Sequence, residues 1–469
     1  MPGIPANITI EGRTPATIKG NLPPLINTAE AARGGFRAGD DSGGGALSSR
    51  RLATKSDITG SFLGAFNVGS HPGTSDNGDA VNSSYAANII AVSGDTVFIS
   101  GTNGGYNTYR GDPVSAFSLP DLITPETPYS SSELNNTVQS GDWSSLIIRP
   151  TVYLNGVPTS YTGLHVESGK LYATGARDYD SNSASFSGNH LAVFSDPSDL
   201  VNSDVKGWYR IGDRNDNYLT GSITPIPQDL QSEFNGDTHL FAEGGAATIS
   251  INGRLSMGPS LASGKLSDLD SMGQTGDLSI NRLLEYSLSN PLWDKRAGGQ
   301  YNATPATQAD AAKNEPTPYG EVEPSDNELW TQLSHSYCGF IVPGTRTVAF
   351  LGRSGGHVGG VAYKAIQSNG NEAGGPAACE WEDYVNYYWL YDLSAVKNAE
   401  TLHELEPYEY GVLTEVDNWV QRINNGDNLG LMRSAYFDSL TNRLYLGLEK
   451  RTSTSDSARS VVLTYQLGA

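Results

Sequence analysis

From residue 61 onward the chain is built of short apolar runs separated by Gly-, Asp- and Asn-containing turns. Runs of that length predict strands, and the turns between them predict hairpins. Residues 84–92 make one arm, Ser93-Gly94-Asp95 the turn and residues 97–101 the other arm. The unit returns at 160–167, turn Ser168-Gly169, then 171–175. It returns again at 336–342, turn Pro343-Gly344-Thr345, then 348–352. A looser copy spans 434–447, and a poorer one lies at 239–252.

Each good copy is followed by a variable loop and a further strand, at 114–119, 190–194, 387–393 and 461–467, and residues 207–211 suggest a fourth strand of a unit. Four short antiparallel strands repeated along a chain predict an all-β fold, a β-propeller of four-stranded blades. Corresponding glycines fall at Gly101, Gly175, Gly352 and Gly447, and the widest interval must hide another unit, so five to seven blades fit. Pairing of residues 61–68 with 461–467 would close the ring and remove two sheet edges. A β-sandwich or a β-helix is the structural alternative.

Residues 1–60 follow a different grammar. Gly34-Gly35, Asp40-Asp41 and Gly43-Gly44-Gly45 interrupt any period, and residues 29–33 offer one helical turn. The segment reads as an extended N-terminal arm, either a disordered tail or an anchor that orders on a partner.

In a propeller the loops between second and third strands share a face with the starts of the inner strands. Here the first turns are tight, whereas the loops at 102–113, 176–189, 353–386 and 448–460 are long, so one face carries the variable loops. They hold Asn103, Tyr106, Tyr109 and Arg110; then Arg177, Asp178, Tyr179 and Asp180; then Arg353, His357, Trp381, Asp383 and Tyr384. Aromatic rings beside Asn, Asp and Arg suit the C–H faces and hydroxyls of sugars. The same residues suit protein hot spots equally. Tyr85, Tyr161 and Tyr337 would begin inner strands, as repeated packing residues or as a ring around the channel mouth.

Charge narrows the partners. There are 51 acidic and 30 basic residues, a formal charge of −21. Such a surface repels phosphate backbones and anionic bilayers, so no nucleic-acid partner and no membrane insertion are expected. No apolar run reaches 18 residues, and the start of the chain lacks a basic and then apolar leader, so no secretory signal peptide is expected. Charged residues are only 17% of the chain, against about 25% in average domains, while 54 glycines and 24 prolines supply the turns. A homo-oligomer is compatible with all of this.

Specific chemistry is thin. Asp178-Tyr-Asp180-Ser-Asn182 opens like a calcium loop, but Ser183 replaces the glycine and Asn189 the final glutamate, so the EF-hand reading fails. A calcium site of another kind, there or at 213–217, competes with a plain solvated turn, and no other cofactor is expected. Cys338 and Cys379 fall in one unit near one face, which admits a disulfide or two unrelated thiols. The inner-strand starts hold none of the carboxylates that five-bladed glycosidases place there, and no S-x-D-x-G-x-T-W box of sialidases occurs. Glu380, Glu382 and Asp383 lie near His357 in one loop, as an acid/base group or a solvated cluster.

Residues 94–101, 169–175, 221–227, 343–353 and 442–447 resemble blades of β-propeller proteins from bacteriophage and marine microbial sequences. The first 60 residues more loosely resemble attachment segments of phage fibre or virion proteins. The resemblance implies a virion structural protein of tail-fibre or capsid-appendage type. Its arm would join other virion proteins, and its propeller would bind a host-surface glycan or protein without catalysis. A carbohydrate-active enzyme, glycosidase or lyase, and an intracellular interaction scaffold are the alternatives.

Overall fold

The apolar runs form strands that group into five antiparallel blades arranged as a β-propeller, one of which also takes a parallel strand at its edge. The computed structural model describes residues 47–68, 89–100, 114–124, 145–148, 160–176, 190–200, 203–213, 219–243, 258–287, 290–292, 328–331, 333–373, 376–419, 430–449 and 460–468. Among these, no helix is long and apolar enough to cross a membrane.

The chain enters the ring through β1 (Ser61–Val68), which belongs to the last blade. The first blade is β2 (Ile90–Ser93), β3 (Thr96–Ser100), β4 (Val114–Ser118) and β5 (Ser145–Ile148). The second is β6 (Ser160–Glu167), β7 (Lys170–Ala176), β8 (Leu191–Phe194) and β9 (Val205–Ile211). The third has β10 (Ile223–Pro225), β11 (His239–Ala242) and β12 (Leu261–Gly264). Its chain then detours through β13 (Thr275–Leu278), which pairs parallel with β9, before β14 (Ile280–Leu284) completes it. The fourth opens with β15 (His335–Ile341) and β16 (Thr347–Gly355). A small hairpin, β17 (Val361–Tyr363) and β18 (Pro376–Ala378), precedes its outer strands β19 (Tyr384–Asp392) and β20 (Glu409–Val412). The fifth is β21 (Leu431–Asp438), β22 (Arg443–Glu449) and β23 (Ser460–Gln466), with β1 as its outermost strand.

The inner strands β2, β6, β10, β15 and β21 touch one another in that order, and β21 returns to β2. The first and last strands meet in antiparallel register from Ser61 opposite Gln466 to Val68 opposite Ser460. Apolar residues fill every junction between blades. Leu240 and Leu284 meet Phe350 and Trp389 between the third and fourth. Phe340 and Leu351 meet Phe437 and Leu463 between the fourth and fifth. Val462 and Tyr445 share a cluster with Ile99, Phe117, Leu164 and Phe194, which joins the fifth, first and second. Tyr172 and Val193 meet Phe241 and Ala262 between the second and third.

The tight first turns place Gly94, Gly169 and Gly344 at φ 58°, 71° and 70°, where a side chain would be strained. Gly352 answers a different need. A Cβ there would sit 1.7 Å from the His335 carbonyl oxygen, because β15 bulges toward β16 between Ser336 and Cys338. Bulges recur near the starts of β6, between Tyr161 and Gly163, and of β21, between Met432 and Ser434.

Three sequence readings are corrected by these pairings. The poorer hairpin at 239–252 is not a first pair of strands. His239–Ala242 is a second strand, and its inner partner is Ile223–Pro225, joined to it by a 3₁₀ helix at Gln228–Phe234 instead of a tight turn. The Ser-Tyr pairs are not equivalent: Tyr161 stands opposite Gly175 and packs in the core, whereas Tyr337 is the bulged residue of its strand, one position further on. Tyr85 lies outside the described residues. Finally, residues 47–60, read as the end of an extended arm, are bound to the fourth blade. The Ala53 amide donates to Thr347 Oγ1 at 2.9 Å, Tyr408 donates to the Ala53 carbonyl at 2.8 Å, and Ile58, in helix α1 (Lys55–Thr59), is buried. Leu47, Ala53 and Ile58 are too few and too irregularly spaced to announce a packed face in the sequence.

Leu463 is fully buried in the closing strand β23. Leu463→Ala should lower unfolding free energy by about 2–5 kcal/mol, through lost burial and a residual cavity. Leu440→Ser, at a residue 93% exposed, should change it by less than about 0.5 kcal/mol. Urea denaturation of both variants checks the pair.

Candidate functional site on the long-loop face of the fourth blade

Of the long second-to-third connections, that of the fourth blade is described almost throughout, and it brings five of the sequence-selected residues together. Asn103, Tyr106, Tyr109 and Arg110 lie outside the described residues, as do Arg177, Asp178, Tyr179 and Asp180 with the calcium-like turn. Arg353, His357, Trp381, Asp383 and Tyr384 are placed by the ends of β16 and β19. Arg353 pairs across the sheet with His335, which begins the inner strand, and with Asn386 on the other side, so it stands at the channel end of the loop.

Strand β16 runs out at Gly355, and Gly356 takes a left-handed φ of 79° that turns the chain over the sheet end. The turn is held by a carboxylate. Asp383 Oδ2 accepts the Val358 amide at 2.6 Å and the Gly359 amide at 3.0 Å. Gly359 has no room for a side chain, since a Cβ would lie 2.6 Å from Glu380 Cγ. Glu380 and Asp383 therefore flank one turn, and the negative charge of both raises the neighbouring Cys379 thiol, after burial.

His357 lies over Tyr387, the ring centroids 5.3 Å apart and the planes 14° from parallel. Its Nε2 is 2.7 Å from Ser354 Oγ, which is in turn 2.7 Å from Ser334 Oγ, a buried hydroxyl that accepts the Thr331 amide. The imidazole is thus located by stacking and by a chain of hydroxyls. Burial pushes the Asp383 carboxyl upward, against the His357 charge and the amides of residues 357–359, which favour its ionised form. Tyr384 accepts the Ala378 amide at 3.0 Å and ties the β17–β18 hairpin to the site. Trp381 and His357 are half-buried and Glu382 is exposed, so an aromatic edge, an imidazole and a carboxylate border the buried Asp383.

The disulfide is corrected here. Both thiols are free. Cys338 is fully buried between the fourth and fifth blades, its thiol pushed up to about 12, while Cys379 packs in a separate cluster of Ala362, Ala365 and Ala377. Membership of one blade does not bring two side chains to the same junction.

Sequence reasoning missed two further groups. Glu243 follows β11 on the long-loop side. It is fully buried, neither carboxylate oxygen has a hydrogen-bond partner among the described residues, and burial alone raises its pKa well above the ordinary value. No motif flags it, because its burial depends on blades distant in the chain. At the tight-turn end, His165, Glu167 and His239 converge, the one set of three metal-ligating types that does so among the described residues.

No protein-family model matches the chain, and no curated protein matches it. Among solved structures it is similar to an exo-β-1,3-galactanase from Phanerochaete chrysosporium, with 9% identity, a TM-score of 0.35, and coverage of 86% of this chain and 64% of that one. It is similar to an exo-1,5-α-L-arabinanase from a bovine ruminal metagenomic library, at 11% identity and a TM-score of 0.35, covering 85% and 93%. A sialidase from Trypanosoma rangeli follows, at 9% and 0.32, covering 87% and 58%. The chain spans less than two thirds of the galactanase and of the sialidase, and likeness at this level assigns no activity to it. The expectation of a non-catalytic virion appendage is corrected all the same. The structures it is similar to are named for enzymes acting on sugars, and none of them supports a virion, bacteriophage or tail-fibre assignment.

Glu243 gives a signed pH dependence. Its folded pKa is raised, so the fold binds its proton more tightly than the unfolded chain does. The associated stability is complete below the unfolded value of about 4.3 and is lost as pH rises toward the folded value. Glu243→Gln should flatten that decline, measured as urea midpoints at a series of pH values from 4 upward.

Proposed function

We propose that the protein is a carbohydrate-active enzyme that cleaves glycosidic bonds on the long-loop face of the fourth blade. The observation that carries this reading is the pair of carboxyl groups, Asp383 and Glu380, on either side of the 357–359 turn, one buried with a raised pKa and the other half-buried. Glycoside hydrolysis needs two carboxyls in unequal environments. One stays protonated to deliver a proton to the leaving oxygen, and one is ionised to attack the anomeric carbon or activate water. Burial suits Asp383 to the first role, and Glu380 supplies the second.

The surrounding residues fit a sugar. Trp381 and Tyr384 offer ring faces for the apolar side of a pyranose or furanose, and Arg353 is a donor for hydroxyl or carboxylate substituents. His357, fixed on Tyr387 and Ser354, stands beside Asp383, where its charge opposes the burial that raises that carboxyl. Among the described residues the inner-strand starts hold no carboxylate, and the acidic pair lies instead on the loop between β18 and β19.

Incubation with a panel of plant, microbial and animal polysaccharides should release new reducing ends without unsaturated ones. Asp383→Asn and Glu380→Gln should each lower the rate by about 10²–10⁴-fold while circular dichroism stays native. Unsaturated ends would replace hydrolysis by elimination. Full activity in both variants would remove this site from the chemistry.

A further inference from the structure

The opposite end of the ring carries a cluster that the sugar reading leaves unused. His165 and Glu167 are two apart on β6, so they project from the same face of the second blade. His239 begins β11 in the third blade and meets them across the junction. Glu167 Oε2 lies 2.9 Å from His239 Nε2 and 3.9 Å from His165 Nε2, and one donor atom from each residue falls within 4.8 Å of the others. The imidazole centroids are 5.6 Å apart, with planes at 70°. Eight residues of extended strand put this cluster roughly 20 Å or more from the mouth end of β6.

Burial makes the arrangement costly as it stands. His165 and His239 are 4% and 5% exposed. His165 Nδ1 lacks a hydrogen-bond partner among the described residues, and both Nε2 atoms face a single carboxylate oxygen, Glu167 Oε2. A buried polar atom left unmatched carries its full desolvation penalty. The other nitrogen of His239 is engaged: Nδ1 shares a hydrogen bond with Thr238 Oγ1 at 2.8 Å. That is the outer-shell contact that orients a metal-bound imidazole and leaves Nε2 for the ion. Asp438, at the end of β21, adds negative charge near His165, although its oxygens accept the Leu440 amide and the Thr441 hydroxyl.

We propose that His165, Glu167 and His239 bind a divalent transition-metal ion of the zinc class between the second and third blades. Two imidazoles and one carboxylate are the donors such ions select, whereas calcium and magnesium prefer oxygen throughout. Three protein ligands leave one tetrahedral position open, and the Glu167 side chain, 39% exposed, gives the ion its route from solvent. Because the ligands come from two blades, the ion binds the assembled junction and not the unfolded chain, and so it stabilises the ring. This site is independent of the hydrolytic reading.

The test uses the full chain without a polyhistidine tag, stripped with chelator. Calorimetric titration with Zn²⁺ should give one ion per chain, and excess Zn²⁺ should raise the melting temperature by a few degrees, whereas Ca²⁺ should do neither. Co²⁺ in place of Zn²⁺ should give the visible absorption of a four-coordinate site. His239→Ala and Glu167→Gln should each weaken Zn²⁺ binding by about 100-fold or more, while His403→Ala leaves it unchanged. Glu167→Gln keeps the test valid if the histidine variant misfolds. Absence of Zn²⁺ and Co²⁺ binding, or wild-type binding by folded Glu167→Gln, would overturn the proposal.

Discussion

The structure depends on one pairing, that of β1 with β23. A propeller blade cannot bury both of its faces alone, and each of the five relies on two neighbours. The fifth blade obtains its outermost strand from the opposite end of the sequence, with Ala65 opposite Leu463 and Phe66 opposite Val462. Val462 also faces the first blade and Leu463 the fourth, so one strand pair completes a sheet and two junctions together. The segment before β1 adds to the lock. Ala53, Lys55 and Arg51 bond to Thr347, Glu409 and Arg346 of the fourth blade before the chain crosses to the fifth.

Closure gives the ring two ends of different character. At one end the first turns of the first, second and fourth blades are tight, and the second and third blades come near enough for His165, Glu167 and His239 to meet. At the other, bulges disturb β6, β15 and β21 just where the loops leave, and in β6 and β21 the bulged residues, Thr162 and Arg433, are partly exposed along otherwise buried stretches. A bulge re-aims side chains at the cost of regular pairing. Gly352 belongs to the same device, since the inner strand bulges into the space that its side chain would need.

The site on the fourth blade shows how a loop is made rigid enough for chemistry. Its turn is not held by apolar packing alone. Asp383 gathers backbone amides, His357 rests on Tyr387, and the hydroxyls of Ser334 and Ser354 carry the order down to the end of the sheet. The groups that would react are also the groups that fix the loop, so their positions and their proton affinities are set by the same contacts.

Local chemistry made most of the strands legible. Short apolar runs flanking tight turns located the hairpins of the first, second, fourth and fifth blades, because residues a few places apart determine them. The third blade escaped because β10 is only three residues long and reaches β11 through a 3₁₀ helix, without the tight turn that marks the others. The association of His357 with Asp383 was visible as proximity in one loop. The buried Glu243, the separation of Cys338 from Cys379 and the meeting of His165 with His239 were not. Each depends on which faces of different blades pack together, and that is decided by ring closure over several hundred residues, a constraint that no local pattern records. Strand grammar and sheet class follow from neighbours along the chain. Which side chains share a junction, and hence where charge, thiol and imidazole are buried, follows from the packing of distant blades.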